Sequence, residues 1–278
     1  MLKQRVITAL ALLAVLLPAL FYPSFEPFAA LSLVLIVAAG WEWARLNGCG
    51  TTASLLCGAG LGGMLALGWS LGVLDMAWPG LWGAAGGIWL VLAIVVLRRG
   101  VAAWSQWPSG VRVVGGLVLI GCAWLALVQA HKAGISFLLS VLTLVWAADI
   151  AAYFGGRALG RRKLAPAISP GKTWEGVYSG VAGVCLLALL WCALDARGVG
   201  SANSLFGQLW AKGPLLAVLA IAVLTAMSVV GDLFESLVKR SAGMKDSSGL
   251  LPGHGGVLDR VDALLPVLPL AMLFVSFS

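Results

Sequence analysis

The sequence predicts an all-α, polytopic membrane helical bundle with about nine transmembrane helices and a cytoplasmic N-terminus. Three observations carry this. Of 278 residues, 61% are hydrophobic and only 10% charged, and the mean hydropathy is +1.00, far from the composition of a soluble globular domain. The apolar residues fall into runs near the ~20 residues that a helix needs to cross ~30 Å of hydrocarbon. Lysine and arginine are distributed unevenly between alternate connections.

Apolar runs between charged or Pro/Gly-rich breaks place spans near 6–22, 28–46, 53–74, 78–97, 113–131, 135–154, 175–194, 214–231 and 261–277. Lys3 and Arg5 ahead of the first run give it the look of a signal peptide. The run is long and no small-x-small cleavage site follows, so it is read as an anchor. Thirty-six glycines suit closely packed membrane helices. Thirteen tryptophans, among them Trp41, Trp43, Trp104, Trp107 and Trp174, fall near the expected helix ends, as an interfacial belt requires. Cys49, Cys57, Cys122, Cys185 and Cys192 show no CxxC pairing and read as small buried side chains.

With the N-terminus cytoplasmic, all basic residues except Lys132, Arg197 and Lys212 fall on the cytoplasmic side. The C-terminus then lies outside. Two cytoplasmic connections, 155–174 and 232–260, are long, polar and rich in charge and glycine. They divide the chain into N-terminal scaffold helices, 1–134, and a C-terminal catalytic region, 135–278. No long internal repeat is visible, which weakens a transporter built from inverted halves.

The stretch 231–262 concentrates Asp232, Glu235, Lys239, Arg240, Lys245, Asp246, His254, Asp259, Arg260 and Asp262 in an otherwise nearly uncharged protein. If residues 231–241 continue the eighth helix, Asp232, Glu235 or Ser236, and Lys239 or Arg240 share one face. Residues Gly249–Gly256 then form a flexible turn that brings backbone N–H groups close to a phosphate. Singly, Asp259 or Asp262 could cap the last helix, and Lys239 and Arg240 could enforce topology. Together, carboxylates and cations are what a metal-assisted phosphoryl or nucleotidyl transfer requires.

Ser236, Lys239, Arg240, Lys245, Asp246, Gly249, Pro252, His254, Gly255, Gly256, Asp259, Arg260 and Asp262 follow the pattern S-x-x-K-R-x4-K-D-x-x-G-x-x-P-x-H-G-G-x-x-D-R-x-D. This resembles the signature of the phosphatidate cytidylyltransferase family, without a departure. A second block is similar to the family's S-P-x-K-T-W-E-G segment, here Ser169 to Gly176, with Asp149 upstream in WAADIAAYFGGR. Taken alone, Gly171-Lys172-Thr173 suggests a P-loop, but Pro166 stands where its first glycine belongs and no strand is expected before it. Arg161, Arg162 and Lys163 read equally as topology charges or contacts to anionic lipid. Glu42, in WEWARL, reads as a local partner of Arg45 near the interface.

The resemblance implies transfer of CMP from CTP to phosphatidic acid, giving CDP-diacylglycerol and pyrophosphate, with Mg²⁺ as cofactor and a second metal ion left open. Asp232 and Asp259 are the first metal candidates, with Asp262 and Asp149 next. The catalytic set is Asp232, Asp259, Lys172, Asp246 and His254, with His254 as a hydrogen-bond donor to phosphate or a loop organiser instead of a base. The set for substrate anions is Ser236, Lys239, Arg240, Lys245, Arg260, Gly255 and Gly256. Expected partners are CTP, phosphatidic acid and membrane lipids, without nucleic acid; a homo-oligomer stays open. The expected location is the inner (cytoplasmic) membrane, with the active site on the cytoplasmic side and a lateral opening near spans six to nine. The competing readings are transfer to another lipid phosphate, such as an ether lipid, a transporter, and a scaffold whose basic loops bind anionic lipid.

Overall fold

The computed structural model describes residues 2–198 and 203–276, apart from the side chains of Leu2, Lys3, Arg5, Val96, Leu97 and Arg99. The orientation charges expected at Lys3, Arg5 and Arg99, and the last residue of the ninth run, lie outside the described residues. The chain is a helical bundle: α1 (Leu2–Leu20), α2 (Glu26–Leu46), α3 (Thr51–Ser70), α4 (Pro79–Trp104), α5 (Ser109–Ala133), α6 (Ile135–Leu159), α7 (Trp174–Ala196), α8 (Leu205–Ala211), α9 (Pro214–Ser241), α10 (Leu258–Val261) and α11 (Leu264–Ser276).

Every one of the nine apolar runs coincides with helix. Six helices among the described residues, α2, α3, α5, α6, α7 and α9, are long and apolar enough to cross a membrane. The other three are less regular. Among the described residues, α1 contributes the shorter apolar stretch Val6–Leu20 and α4 the stretch Pro79–Val95, and α4 contains the non-helical Gly100. The last helix, α11, has 13 residues with Pro269 inside it.

Between α6 and α7, where a loop is expected over 155–174, α6 runs on to Leu159 and an antiparallel hairpin follows. Its strands are β1 (Lys163–Ala165) and β2 (Ser169–Thr173). Strands of three and five residues are too short to show a period of two, so the sequence alone predicts a loop here. Buried Ile168 pins the hairpin to the bundle, and Lys163 Nζ donates to the Pro170 carbonyl at 2.7 Å.

Helix packing depends on small residues. A Cβ on Gly180 would come within 3.1 Å of the Ala148 carbonyl oxygen, and one on Gly176 within 2.9 Å of that of Ala152, so α6 and α7 pack backbone to backbone. This close approach sets Asp149, on α6, beside the start of α7.

Trp43 and Trp104, expected in an interfacial belt, are buried instead. With Trp89 they surround Phe234 of α9 at ring-centroid distances of 5.9 Å (Trp43), 5.2 Å (Trp104) and 5.4 Å (Trp89). Two of the buried indole N–H groups are satisfied. Trp43 Nε1 donates to the Arg112 carbonyl at 3.0 Å, and Trp104 Nε1 donates to Asn47 Oδ1 at 3.0 Å. The aromatic cluster locks α2, α4 and α9 together at the level where α9 begins to carry charge.

Candidate active site

The α9 helix continues to Ser241 and places its charges one turn apart. Ser236 Oγ donates to Asp232 Oδ1 at 3.2 Å, and Lys239 is paired with Glu235, four residues before it. The stripe expected on this helix therefore resolves into two adjacent pairs.

The Asp232 end faces a cavity of about 490 Å³ lined by Asp149, Tyr153, Arg157, Lys172, Thr173 and Asp232, among others. Lys172 Nζ lies 2.7 Å from Asp232 Oδ2. Three elements hold this lysine in place. It sits in β2 immediately before Thr173, whose Oγ1 caps α7 by accepting from Gly176 N at 3.1 Å. Glu175 then accepts from the Arg161 and Arg162 amides at 3.0 and 3.1 Å, tying the hairpin's entry to the first turn of α7. Asp149 lies within electrostatic reach of both Lys172 and Asp232. Arg157 Nη1 donates to the Tyr153 hydroxyl at 3.2 Å in the cavity wall. Thus Asp149, Lys172 and Asp232, chosen from two separate sequence blocks, meet at one opening.

The Lys239 end lies in a tighter cluster. Lys239 Nζ donates to Asp259 Oδ1 at 2.5 Å. Asp259 Oδ2 accepts from Ser247 N, Ser247 Oγ and Gly256 N, each at 2.8 Å. Burial acts to raise the Asp259 carboxyl, but the hydrogen bonds from Lys239, Gly256 and Ser247 outweigh it and bring the group down to about 2. Both its oxygens are thus engaged by buried donors, whereas Asp149 and Asp232 line the cavity, Asp232 with one donor on each oxygen, Ser236 and Lys172. Asp262 Oδ1 accepts from the Ala263 amide at 2.7 Å, and the residue is within electrostatic reach of Asp232, Lys239 and Lys172, between the two clusters.

The glycine-rich turn is held shut. Leu251 and Gly255 form an isolated bridge, and Gly253 and Gly255 have φ values of 77° and 81°. Arg260 Nη2 donates to the His254 carbonyl at 2.6 Å, while His254 Nδ1 is buried without a hydrogen-bond partner among the described residues. Arg240, Lys245, Asp246 and Arg260 are exposed around this turn.

Glu42 is the residue that the sequence reading placed wrongly. It does not pair with Arg45. Fully buried, it accepts from Ser247 Oγ, Ser248 Oγ, Val257 N and Leu258 N, while Arg45 donates to the Ser247 carbonyl and stacks over Trp41. Its partners lie some two hundred residues away. A lone acid in an apolar run is the one signal that marks it.

Among the described residues no three His, Cys, Asp or Glu side chains cluster as a ready-made metal cage. Mg²⁺ needs no such cage, since it takes one or two carboxylates and completes its shell with phosphate and water. Asp232 and Asp149, which line the same cavity, are the carboxylates that could form such a pair.

Residues 3–278 match the cytidylyltransferase family. The chain belongs to this family. A phosphatidate cytidylyltransferase of Pseudomonas aeruginosa is 39% identical over 278 residues, covering 97% of this chain and 95% of the relative. Proteins of the same name from Haemophilus influenzae and Brucella suis are 36% and 37% identical, covering 100% and 98% of this chain and 99% and 93% of theirs. Family membership thus extends over the first half, where the motifs are silent.

Proposed function

We propose that the protein is a CTP:phosphatidate cytidylyltransferase, a membrane nucleotidyltransferase that makes CDP-diacylglycerol and pyrophosphate for phospholipid synthesis. The observation that carries this reading is the Lys172–Asp232 pair beside Asp149 in the cavity of a chain that matches this family over nearly its whole length. In the reaction an oxygen of the lipid phosphate bonds to the α-phosphorus of CTP. The bond from that phosphorus to the bridging oxygen breaks, and pyrophosphate leaves with the electron pair.

The obstacle is repulsion between two anions, so cations matter more than a base. Lys172 and Arg157 line the cavity and neutralise phosphate oxygens, and Thr173 keeps Lys172 in place through the α7 cap. Asp232, oriented by Ser236, and Asp149 would hold Mg²⁺, whose charge would offset that of the triphosphate. The lipid phosphate is already ionised near neutral pH, so His254 is not required as a base.

The same reading has nine crossings, with α1, α4 and α11 completing the six long spans, and an N-terminus in the cytoplasm of a bacterial inner membrane. The catalytic region is 135–278, and CTP enters from the cytoplasmic side. A lateral opening toward the inner leaflet is supported by the apolar side chains exposed beside the cavity mouth, Ile150, Tyr153, Phe154 and Tyr178.

Purified protein given labelled CTP, Mg²⁺ and phosphatidic acid should convert label into CDP-diacylglycerol with equimolar pyrophosphate. An ether analogue accepted in preference to the diacyl lipid would redirect the reading to another lipid phosphate. Absence of product with either lipid, from folded protein, would refute it.

A further inference from the structure

Glu42 stands on α2, in the half of the chain to which the motifs assign no chemistry, yet its carboxylate forms the floor of the signature turn. Each oxygen accepts one backbone N–H and one serine hydroxyl. Oε1 takes Val257 N at 3.0 Å and Ser248 Oγ; Oε2 takes Leu258 N at 2.7 Å and Ser247 Oγ at 3.1 Å. Ser247's single hydroxyl proton is shared between Glu42 and Asp259, so the two carboxylates grip the turn from opposite sides. A Cβ on Gly256 would run into both Glu42 and Ser247, so the turn closes directly onto this carboxylate.

A buried carboxylate is costly unless its oxygens are saturated with donors, and here the donors are the turn itself. Serine hydroxyls rotate; backbone N–H groups do not. Of the common side chains, only an ionised carboxylate of this length meets two adjacent N–H groups with two acceptors. The held segment leads straight into Asp259, Arg260 and Asp262. Next to Asp232, Gly231 admits this segment closely: a Cβ there would lie 3.0 Å from the Ala263 Cα. A shift of the turn is therefore passed to the helix that carries Asp232.

We propose that Glu42 is a positioning residue for cytidylyl transfer, fixing residues 247–258 so that Lys239, Asp259 and the entry to α11 stand in register with the Asp149–Lys172–Asp232 cavity. This rests on the reading of the function given above. It makes the first half of the chain a working part of the site.

Glu42→Gln tests it, because the amide keeps the shape but turns an NH₂ group toward one of the two backbone donors. Amide hydrogen exchange at Val257 and Leu258 should quicken at least about tenfold, through loss of a charge-assisted bond. The kcat should fall about 100-fold, as for a misplacement of about 1 Å. KM for CTP should stay within about threefold, since the cavity that neutralises the phosphates is untouched. A merely structural role would instead lower the amount of folded protein and leave kcat per folded molecule intact. Wild-type exchange and wild-type kcat in Glu42→Gln would overturn the proposal.

Should that variant fail to fold, Ser248→Ala decides. It removes the hydroxyl that donates to Glu42 and accepts from Leu250 N at 3.1 Å, while leaving the carboxylate and both N–H donors. Faster exchange at Leu250 with kcat reduced about fivefold is expected, and unchanged values of both would refute the idea. If wild-type protein makes no product, the activity reading fails, and the exchange rates alone then judge whether Glu42 orders the turn.

Discussion

Two carboxylate clusters lie close together at one end of the bundle and are built on opposite principles. In the Glu42–Asp259 cluster every carboxylate oxygen accepts from the protein, half of the bonds coming from backbone N–H groups of one turn and half from Lys239, Ser247 and Ser248 side chains. In the Asp149–Lys172–Asp232 cluster the acids and their lysine line an open cavity. The first carboxylates are closed in by buried donors, whereas Asp149 and Asp232 line a space that a ligand can enter, Asp232 with one donor on each oxygen. The contrast teaches that charge density does not by itself mark chemistry: Asp259, inside the dense motif, organises backbone, while Asp232, at its start, lines an open cavity.

Exchanging the character of the two clusters should separate them. The largest effect is expected at the open cluster, where Asp232→Asn or Lys172→Met should lower the rate of CDP-diacylglycerol formation about 1,000-fold with little change in thermal stability. Asp259→Asn should cost activity too, but with a different signature. It strips a buried partner from Lys239 and weakens the hold on Ser247 and Gly256, so a loss of about 3 kcal/mol in stability should accompany it, read from thermal or denaturant unfolding.

A third test uses acid. Asp259 is ionised in the fold down to about 2, against an ordinary value of 3.8. Because the folded value is depressed, its contribution is fully present above about pH 4 and is lost as the pH falls through about 2. The amides of Ser247 and Gly256 should therefore keep their protection from exchange at pH 3. The smallest effect belongs to the hairpin rim, where the Arg162 side chain is 67% exposed and pairs with Glu175 at 3.3 Å. Arg162→Gln should change stability by less than about 1 kcal/mol and the rate by less than about twofold.

What the sequence made legible follows the same division. Lys172 and Asp149 are legible through the S-P-x-K-T-W-E-G block and the segment upstream of it, and Asp232 through the charge concentrated over 231–262. The extension of α9 to Ser241, with its one-turn pairs, followed from helical spacing. Glu42 was misread because the nearest cation in sequence, Arg45, suggested an i,i+3 pair, while its true donors are brought to it only by the fold. Trp43 and Trp104 were misplaced for a related reason: position near a helix end cannot tell an interfacial ring from one that Gly116 lets into the core. The β1–β2 hairpin was too short to leave a periodic trace, yet it carries Lys172 to its place.

The assignment of chemistry to the open cluster is tested most directly by the binding of Mn²⁺, as a paramagnetic substitute for Mg²⁺, to purified protein with CTP, followed by electron paramagnetic resonance. Wild-type protein and Ser248→Ala should both bind the ion, and Asp232→Asn should lose at least about tenfold in affinity. Wild-type affinity in Asp232→Asn would contradict the division of labour between the two clusters.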